Sequence, residues 1–297
     1  MLNAGWRANR RAALTMSAAM ALITVNDSMI KLASESLPAA QTIGIRGMFA
    51  TVWVLVAAMA ARQMKQLRHG VELRTLGRAA LDVGGTFSYL YALFHMPLAE
   101  AIAINMAAPL IMVLFAVVFL GEAVRWQRLV AVLAGFAGML LVVRPGGTNF
   151  TWWTALCLLA TLLNAARDVY TRFMPLRVPS MIVTLAAASA ITLTAVTLTT
   201  VQGWQPVSAG VLMLLAGASA FLASSYYLLI VAMRLGDISA VSGFRYSALP
   251  AGALLGWIIW GYLPDAISCA GMAVLVLAGL YLLHHERAGA RHTASGR

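Results

Sequence analysis

The chain has 297 residues, 61% hydrophobic and only 10% charged, with a net charge of +11 and a mean hydropathy of +0.83. Soluble domains carry about 25% charged residues, so this chain cannot coat a water-exposed surface and must be solvated by lipid over most of its length. Its bases sit in short loops between apolar runs rather than on a basic, aromatic-rich face, which excludes nucleic acid as the expected partner and points to the positive-inside rule.

Arg7, Arg10 and Arg11 precede the first apolar run, residues 12–33. That run is too long for a signal-peptide core and contains Asn26, Asp27 and Lys31, so a retained first helix is expected. Further apolar stretches follow at 39–61, 75–94, 98–120, 127–143, 151–173, 179–202, 207–233, 237–260 and 265–283. Most are near the roughly 20 residues that span a hydrocarbon core. The expectation is an all-α membrane protein with ten transmembrane helices. The short connections hold Pro38, Pro97, Pro145-Gly146-Gly147, Pro175, Pro179, Pro206 and Pro264, residues that interrupt helices. No stretch is long enough and polar enough to form a separate soluble domain. Cys157 and Cys269 fall inside apolar runs and read as packing residues rather than a disulfide.

The bases orient the helices. With a cytoplasmic N-terminus, the termini and the loops after even-numbered spans hold Arg62, Lys65, Arg68, Arg74, Arg125, Arg177 and Arg287, among others. The opposite side holds Arg144, with Lys31 near it. Both termini are therefore expected in the cytoplasm.

The two halves resemble each other at a shift of about 140 residues. Leu93 to Ala99, then Pro109, then Gly121-Glu122 match Met233 to Ser239, then Pro250, then Gly261-Tyr262. Five spans separate the copies, an odd number, so the repeats are inverted. Inverted repeats typify secondary transporters, whose substrate site lies near the midplane between the halves. The expected division is 1–145 for the first repeat, 146–284 for the second and 285–297 for a basic cytoplasmic tail.

Four stretches resemble the drug/metabolite transporter superfamily and its EamA-type ten-helix exporters. They are Asp27 to Lys31 with Gln41 to Arg46, the Pro109 helix closing on Gly121-Glu122, Ala166 to Arg172, and Gly236 through Tyr246 to Gly271. The family usually has Glu after the glycine of the ninth span, where this chain has Tyr262. The resemblance implies a 5+5 inverted repeat with both termini inside and a central cavity lined by the first four spans of each half. It implies an inner-membrane exporter of small metabolites, closest to the exporters of aromatic and neutral amino acids. Relatives that move S-adenosylmethionine, riboflavin or nucleotide sugars supply the alternative cargo, nucleotide-derived or vitamin-like. A monomer is expected, in contact with its substrate and the bilayer.

Charges inside the membrane narrow the site, because each costs about 2.5–3.5 kcal/mol on insertion scales. Three pairs at i, i+4 offer local neutralisation: Asp27 with Lys31, Arg78 with Asp82, and Asp168 with Arg172. Arg46 and Arg245 have no acid three or four residues away. Each is a candidate fork for a substrate carboxylate, with Glu100 as an alternative partner for Arg46. By the repeat shift, Asn105 stands where the second half has Arg245. Asp27, Tyr89, Asn164, Tyr227 and Tyr246 complete the candidate substrate-binding set. Pro109 and Pro250 are candidate hinges, since proline frees backbone carbonyls inside a helix. Gly84-Gly85, Gly135 with Gly138, and Gly271 with Gly279 are expected to let helices approach closely.

Enzyme readings lack support. No His-Glu-x-x-His, Cys-x-x-Cys or phosphate-cradling loop occurs. His284-His285-Glu286 lies in the basic tail and reads as solvated rather than metal-binding. No cofactor is expected, and an intramembrane enzyme or a scaffold is the remote alternative.

Overall fold

The computed structural model describes residues 2–120, 126–144, 151–171, 173–175, 178–235 and 243–294, without the side chains of 2–10, 116–117, 119–120, 127–128, 233–234, 243 and 282–294. Among them it is all-helical. The helices are α1 (Leu2–Ser34), α2 (Ala39–Ala60), α3 (Leu73–His95), α4 (Leu98–Asn105), α5 (Ala108–Leu120), α6 (Trp126–Val143), α7 (Trp152–Thr171), α8 (Ser180–Gln202), α9 (Ala209–Leu235), α10 (Ala248–Trp260) and α11 (Ala266–Ala294). Short 3-10 helices occupy Met64–Val71 and Gly243–Ser247.

Each of the ten expected spans receives a helix, the fourth being divided into α4 and α5. Among the described residues, five stretches are long and apolar enough to cross a membrane by length and composition: Arg11–Ser34, Ala39–Ala60, Leu98–Phe115, Ser180–Gln202 and Ala209–Ala232. Two shorter apolar helices are Leu129–Val143 and Ala266–Tyr281. Helices α3 and α7 are more polar because they carry Arg78, Asp82, Arg167 and Asp168, which pair with one another. A polar helix is stable in lipid when its charges face neighbours. Val52, Val118, Leu193, Met213, Ile258 and Leu277 are all more than half exposed, the pattern of a surface wetted by acyl chains rather than water.

Some helix starts recur at the shift of about 140 residues noted in the sequence. Helices α5 and α10 each have 13 residues and start 140 residues apart, at Ala108 and Ala248. Helices α6 and α11 start at Trp126 and Ala266, again 140 apart. Helices α2 and α8 start at Ala39 and Ser180, 141 apart. The packing follows the same correspondence, with α2 against α8 and α6 against α11.

Pro109 and Pro250, expected inside helices as candidate hinges, stand instead near helix starts. Each sits in the first turn of a separate helix, where its missing N–H breaks no hydrogen bond. Helix α4 ends at Asn105, and the chain crosses Met106-Ala107 through tight turns: the Ala107 N–H donates to the Ile104 carbonyl at 3.0 Å and the Leu110 N–H to the Ala107 carbonyl at 3.0 Å. Before α10 the equivalent place is the 3-10 helix Gly243–Ser247. The family-like stretch Gly236 to Val241, Gly121-Glu122 and the repeat boundary at Pro145-Gly146 lie outside the described residues, as do the side chains of Arg172 and of His284-His285-Glu286.

The chain forms two compact units. One comprises residues 25–96 and 152–223, the other residues 1–24, 97–151 and 224–297. Each takes helices from both halves of the sequence. In the first unit α2 packs on α8 and α3 on α7 and α8. Gly47 faces Thr192 so closely that an added Cβ would lie 2.6 Å from the threonine hydroxyl, and Thr51 and Thr192 hydroxyls meet at 3.1 Å. Ala33, Leu37, Ile45 and Leu215 form a buried apolar cluster there. In the second unit, α6 and α11 touch backbone to backbone. A Cβ on Gly138 would lie 2.8 Å from the Gly271 carbonyl oxygen. Gly84, Gly85, Gly135, Gly138, Gly271 and Gly279 all stand at close interhelical approaches, the role expected of them.

Candidate functional site

The unit formed by residues 25–96 and 152–223 holds two buried carboxylates with different surroundings. Asp27, on α1, is 8% exposed. The Tyr89 hydroxyl of α3 donates to its Oδ2 at 2.9 Å, and the Asn26 amide donates to its Oδ1 at 2.9 Å. Arg46 of α2 acts on it electrostatically. Asn26 is 1% exposed, and its own Oδ1 meets no hydrogen-bond donor among the described residues. Lys31, one turn further along α1, donates to the carbonyls of Leu93 and Met96 at 2.6 and 2.8 Å. The ammonium thus caps the C-terminal end of α3, where backbone carbonyls lack intrahelical donors. Asp27 and Lys31 each reach across to α3, so the i, i+4 pair expected of them does not account for the contacts of Asp27.

The second carboxylate, Asp82, is 7% exposed. Arg78 donates to its Oδ2 at 2.6 Å, the i, i+4 pair expected from the sequence. Arg167 of α7 donates to its Oδ1 at 2.8 Å and reaches Asp168 at 2.7 Å. Arg78 also donates to the Thr171 hydroxyl at 2.9 Å. Asp168 therefore pairs with its neighbour Arg167 in the described structure. The sequence treated Arg167 as part of a family-like stretch and missed it as the bridge between α3 and α7. The available signal was a cation and an anion, Arg167 and Asp82, each inside an apolar run.

The remaining candidates lie as follows. Asn164 is partly buried on α7 and faces α3 where Gly85 leaves room, since a Cβ there would lie 2.6 Å from its Oδ1. In the other unit, Arg245 is exposed on the 3-10 helix before α10. Tyr246 beside it is buried, with its hydroxyl against Gly279 of α11. Asn105 is partly buried at the last turn of α4, next to the break. Tyr227 is 68% exposed on α9. Glu100, suggested as a partner for Arg46, accepts a hydrogen bond from the Tyr262 hydroxyl. Nearby, Arg144 forks onto both oxygens of Asp265, and Asp265 accepts from the Ser268 N–H at 2.9 Å to cap α11. The Arg144 guanidinium and the cap hold the Asp265 carboxyl below the usual carboxylate range. Burial, then the Glu100 contact, raises the Tyr262 phenol. Tyr262 fills the place of the family's usual carboxylate by bonding to one, and spacing could not show this. Among the described residues no group of three His, Cys, Asp or Glu side chains could hold a metal.

Among the described residues these polar groups pair with one another inside an apolar helix packet rather than forming a nucleophile–base pair. Residues 10–144 match the EamA-like transporter family. A riboflavin transporter of Rhizobium johnstonii is 30% identical over 72% of this chain and 70% of its own length. The chain belongs to the EamA-like transporter family. The pseudopaline exporter CntI of Pseudomonas aeruginosa is 28% identical over 87% of this chain and 91% of its own. The S-adenosylmethionine uptake transporter of Rickettsia prowazekii is 24% identical over 90% and 91%. A solved crystal structure shares the fold, with a TM-score of 0.60 and 22% identity over 92% of this chain and 96% of that one. As an EamA-family member the chain is a membrane transporter of small molecules, not an enzyme.

Proposed function

We propose that this chain is an inner-membrane secondary transporter, with both termini cytoplasmic, for a vitamin-like or nucleotide-derived metabolite. The observation that carries this reading is that two of its relatives are named for riboflavin, a vitamin, and for S-adenosylmethionine, a nucleoside-derived metabolite. None of the three relatives, the pseudopaline exporter included, is named for a free amino acid, so the amino-acid cargo that the family resemblance implied gives way to the alternative. Those names include both export and uptake, and family membership alone sets no direction.

The chemistry of the Asp27 cluster supports such a cargo. It offers a carboxylate, an amide oxygen without a donor, a phenol and a guanidinium around one turn of α1. A heterocycle edge carries donors and acceptors side by side, and Tyr89 adds a flat apolar wall. Arg245, exposed on the 3-10 helix before α10, is proposed by itself as a contact for an anionic group. The breaks at Met106-Ala107 and before Ala248 are the proposed hinges for alternating access.

Counterflow in proteoliposomes tests this with radiolabelled riboflavin, S-adenosylmethionine and phenylalanine. Saturable exchange of riboflavin or S-adenosylmethionine, with none of phenylalanine, is the expected outcome. Exchange of phenylalanine alone would restore the amino-acid reading. Arg245→Gln should weaken exchange while leaving the protein monodisperse.

A further inference from the structure

We infer that Asp27 is a reversible protonation site, exchanging a proton with water while the Asn26 amide reverses its hydrogen bond to it. The inference deepens the transport reading and rests on it only for the use made of the proton.

The argument is geometric. Asp27 is almost fully buried, yet neither of its hydrogen-bonding partners is a cation. Tyr89 contributes a hydroxyl, which can donate or accept. Asn26 contributes an amide whose NH₂ donates to Asp27 while its oxygen stands buried without a donor. A buried acceptor left unsatisfied costs about 1–3 kcal/mol. The Asn26 oxygen therefore lacks a donor while Asp27 is ionised. A proton on Oδ1 of Asp27, the oxygen beside the Asn26 amide, can supply it.

The step balances simply. A hydronium ion from the water phase gives up a proton: its O–H bond breaks as an O–H forms on Oδ1 of Asp27. The Asn26 amide rotates so that its oxygen accepts from the new O–H in place of the NH₂ that donated there. Tyr89 goes on donating to Oδ2. Loss of the proton reverses the rearrangement.

The surroundings on every packed element are consistent with this. On α1, Lys31 is engaged with the α3 carbonyls. On α2, Arg46 supplies a counter-charge to the ionised form. On α3 the facing group is Tyr89, and Cys157 of α7 acts on Tyr89. Helix α9 meets α1 at Gly217, against Met29, and residues 209–225 of α9 carry no charge. Asp82, equally buried, cannot behave this way. Its partners Arg78 and Arg167 are guanidiniums, which only donate, so a proton on Asp82 would find no acceptor in either.

Infrared difference spectra of the purified full-length protein, taken between mildly alkaline and mildly acid buffer, test the inference directly. A carboxylic-acid C=O band should appear on acidification in the wild type and be lost in Asp27→Asn. That variant is isosteric, and its amide oxygen still accepts from Tyr89. In Tyr89→Phe, which removes one partner but leaves the carboxyl, the band should persist at a shifted frequency. A band unchanged in Asp27→Asn, or no band in the wild type, would overturn the inference. The use of the proton is read separately, from riboflavin flux in proteoliposomes. A pH gradient should accelerate flux in the wild type and not in Asp27→Asn. If riboflavin does not move at all, the cargo reading fails, and the infrared band still decides the protonation site.

Discussion

Asp27 and Asp82 lie in the same compact unit, each on a helix that faces α3 or belongs to it, and they are buried to nearly the same degree, 8% and 7% exposed. Their partners separate them. Asp82 is gripped by two guanidiniums that tie α3 to α7. Asp27 is held by a phenol and an amide that can each reverse a hydrogen bond. Burial alone thus says little about what a carboxylate does in a membrane protein. Partners that can only donate make it a rivet, and partners that can exchange roles make it a switch.

The largest expected effect breaks the rivet. Asp82→Asn leaves Arg78 and Arg167 without their shared counter-charge, and losing one member of a buried ion pair costs about 3–5 kcal/mol. The arginine side chains are 16% and 25% exposed, so the low end of that range is expected. Thermal unfolding in detergent should show it. Asp27→Asn should cost far less, about 1 kcal/mol, because it exchanges one acceptor for another. Equal losses in the two variants would erase the distinction.

Tyr89→Phe comes next. It removes the α3 donor to Asp27 and is expected to cost about 1–2 kcal/mol in the same unfolding assay. Lys31→Met sharpens the comparison from the same turn of α1. It removes two donors to the α3 C-terminus but leaves Asp27 intact, so about 1 kcal/mol should be lost with the Asp27 infrared band retained.

The smallest effect belongs to a third carboxylate, the exposed Asp265, forked by Arg144. Its folded pKa lies below its unfolded value of about 3.9. The stabilisation is therefore complete above the unfolded pKa and disappears as pH falls through the folded one. The difference in melting temperature between the wild type and Asp265→Asn should be present at neutral pH and close below about pH 4. Added salt should also shrink it, because the pair is exposed to water.

Much of this architecture was legible along the chain. Ten apolar runs appear as helices, the Arg78–Asp82 pair forms at its i, i+4 spacing, and the paired glycines stand where helices touch. Other features were not. The Asp27–Tyr89 bond joins residues 62 apart, and the Arg167–Asp82 bridge joins residues 85 apart. Spacing within one helix carries no information about such partners. Pro109 and Pro250 were recognisable as interruptions, but spacing did not show that each falls in the first turn of a helix rather than inside one.

Solvent and periodicity act residue by residue, so the sequence alone determined a membrane-embedded, all-helical chain with a repeat of about 140 residues. It also placed charges inside the spans, where each needs a reason to exist. Which reason applies was decided only by tertiary structure. A charge in low dielectric is defined by the atoms that reach it, and those atoms come from other helices. The two buried aspartates are alike in the sequence and become different groups once Tyr89 is folded against one and Arg167 against the other.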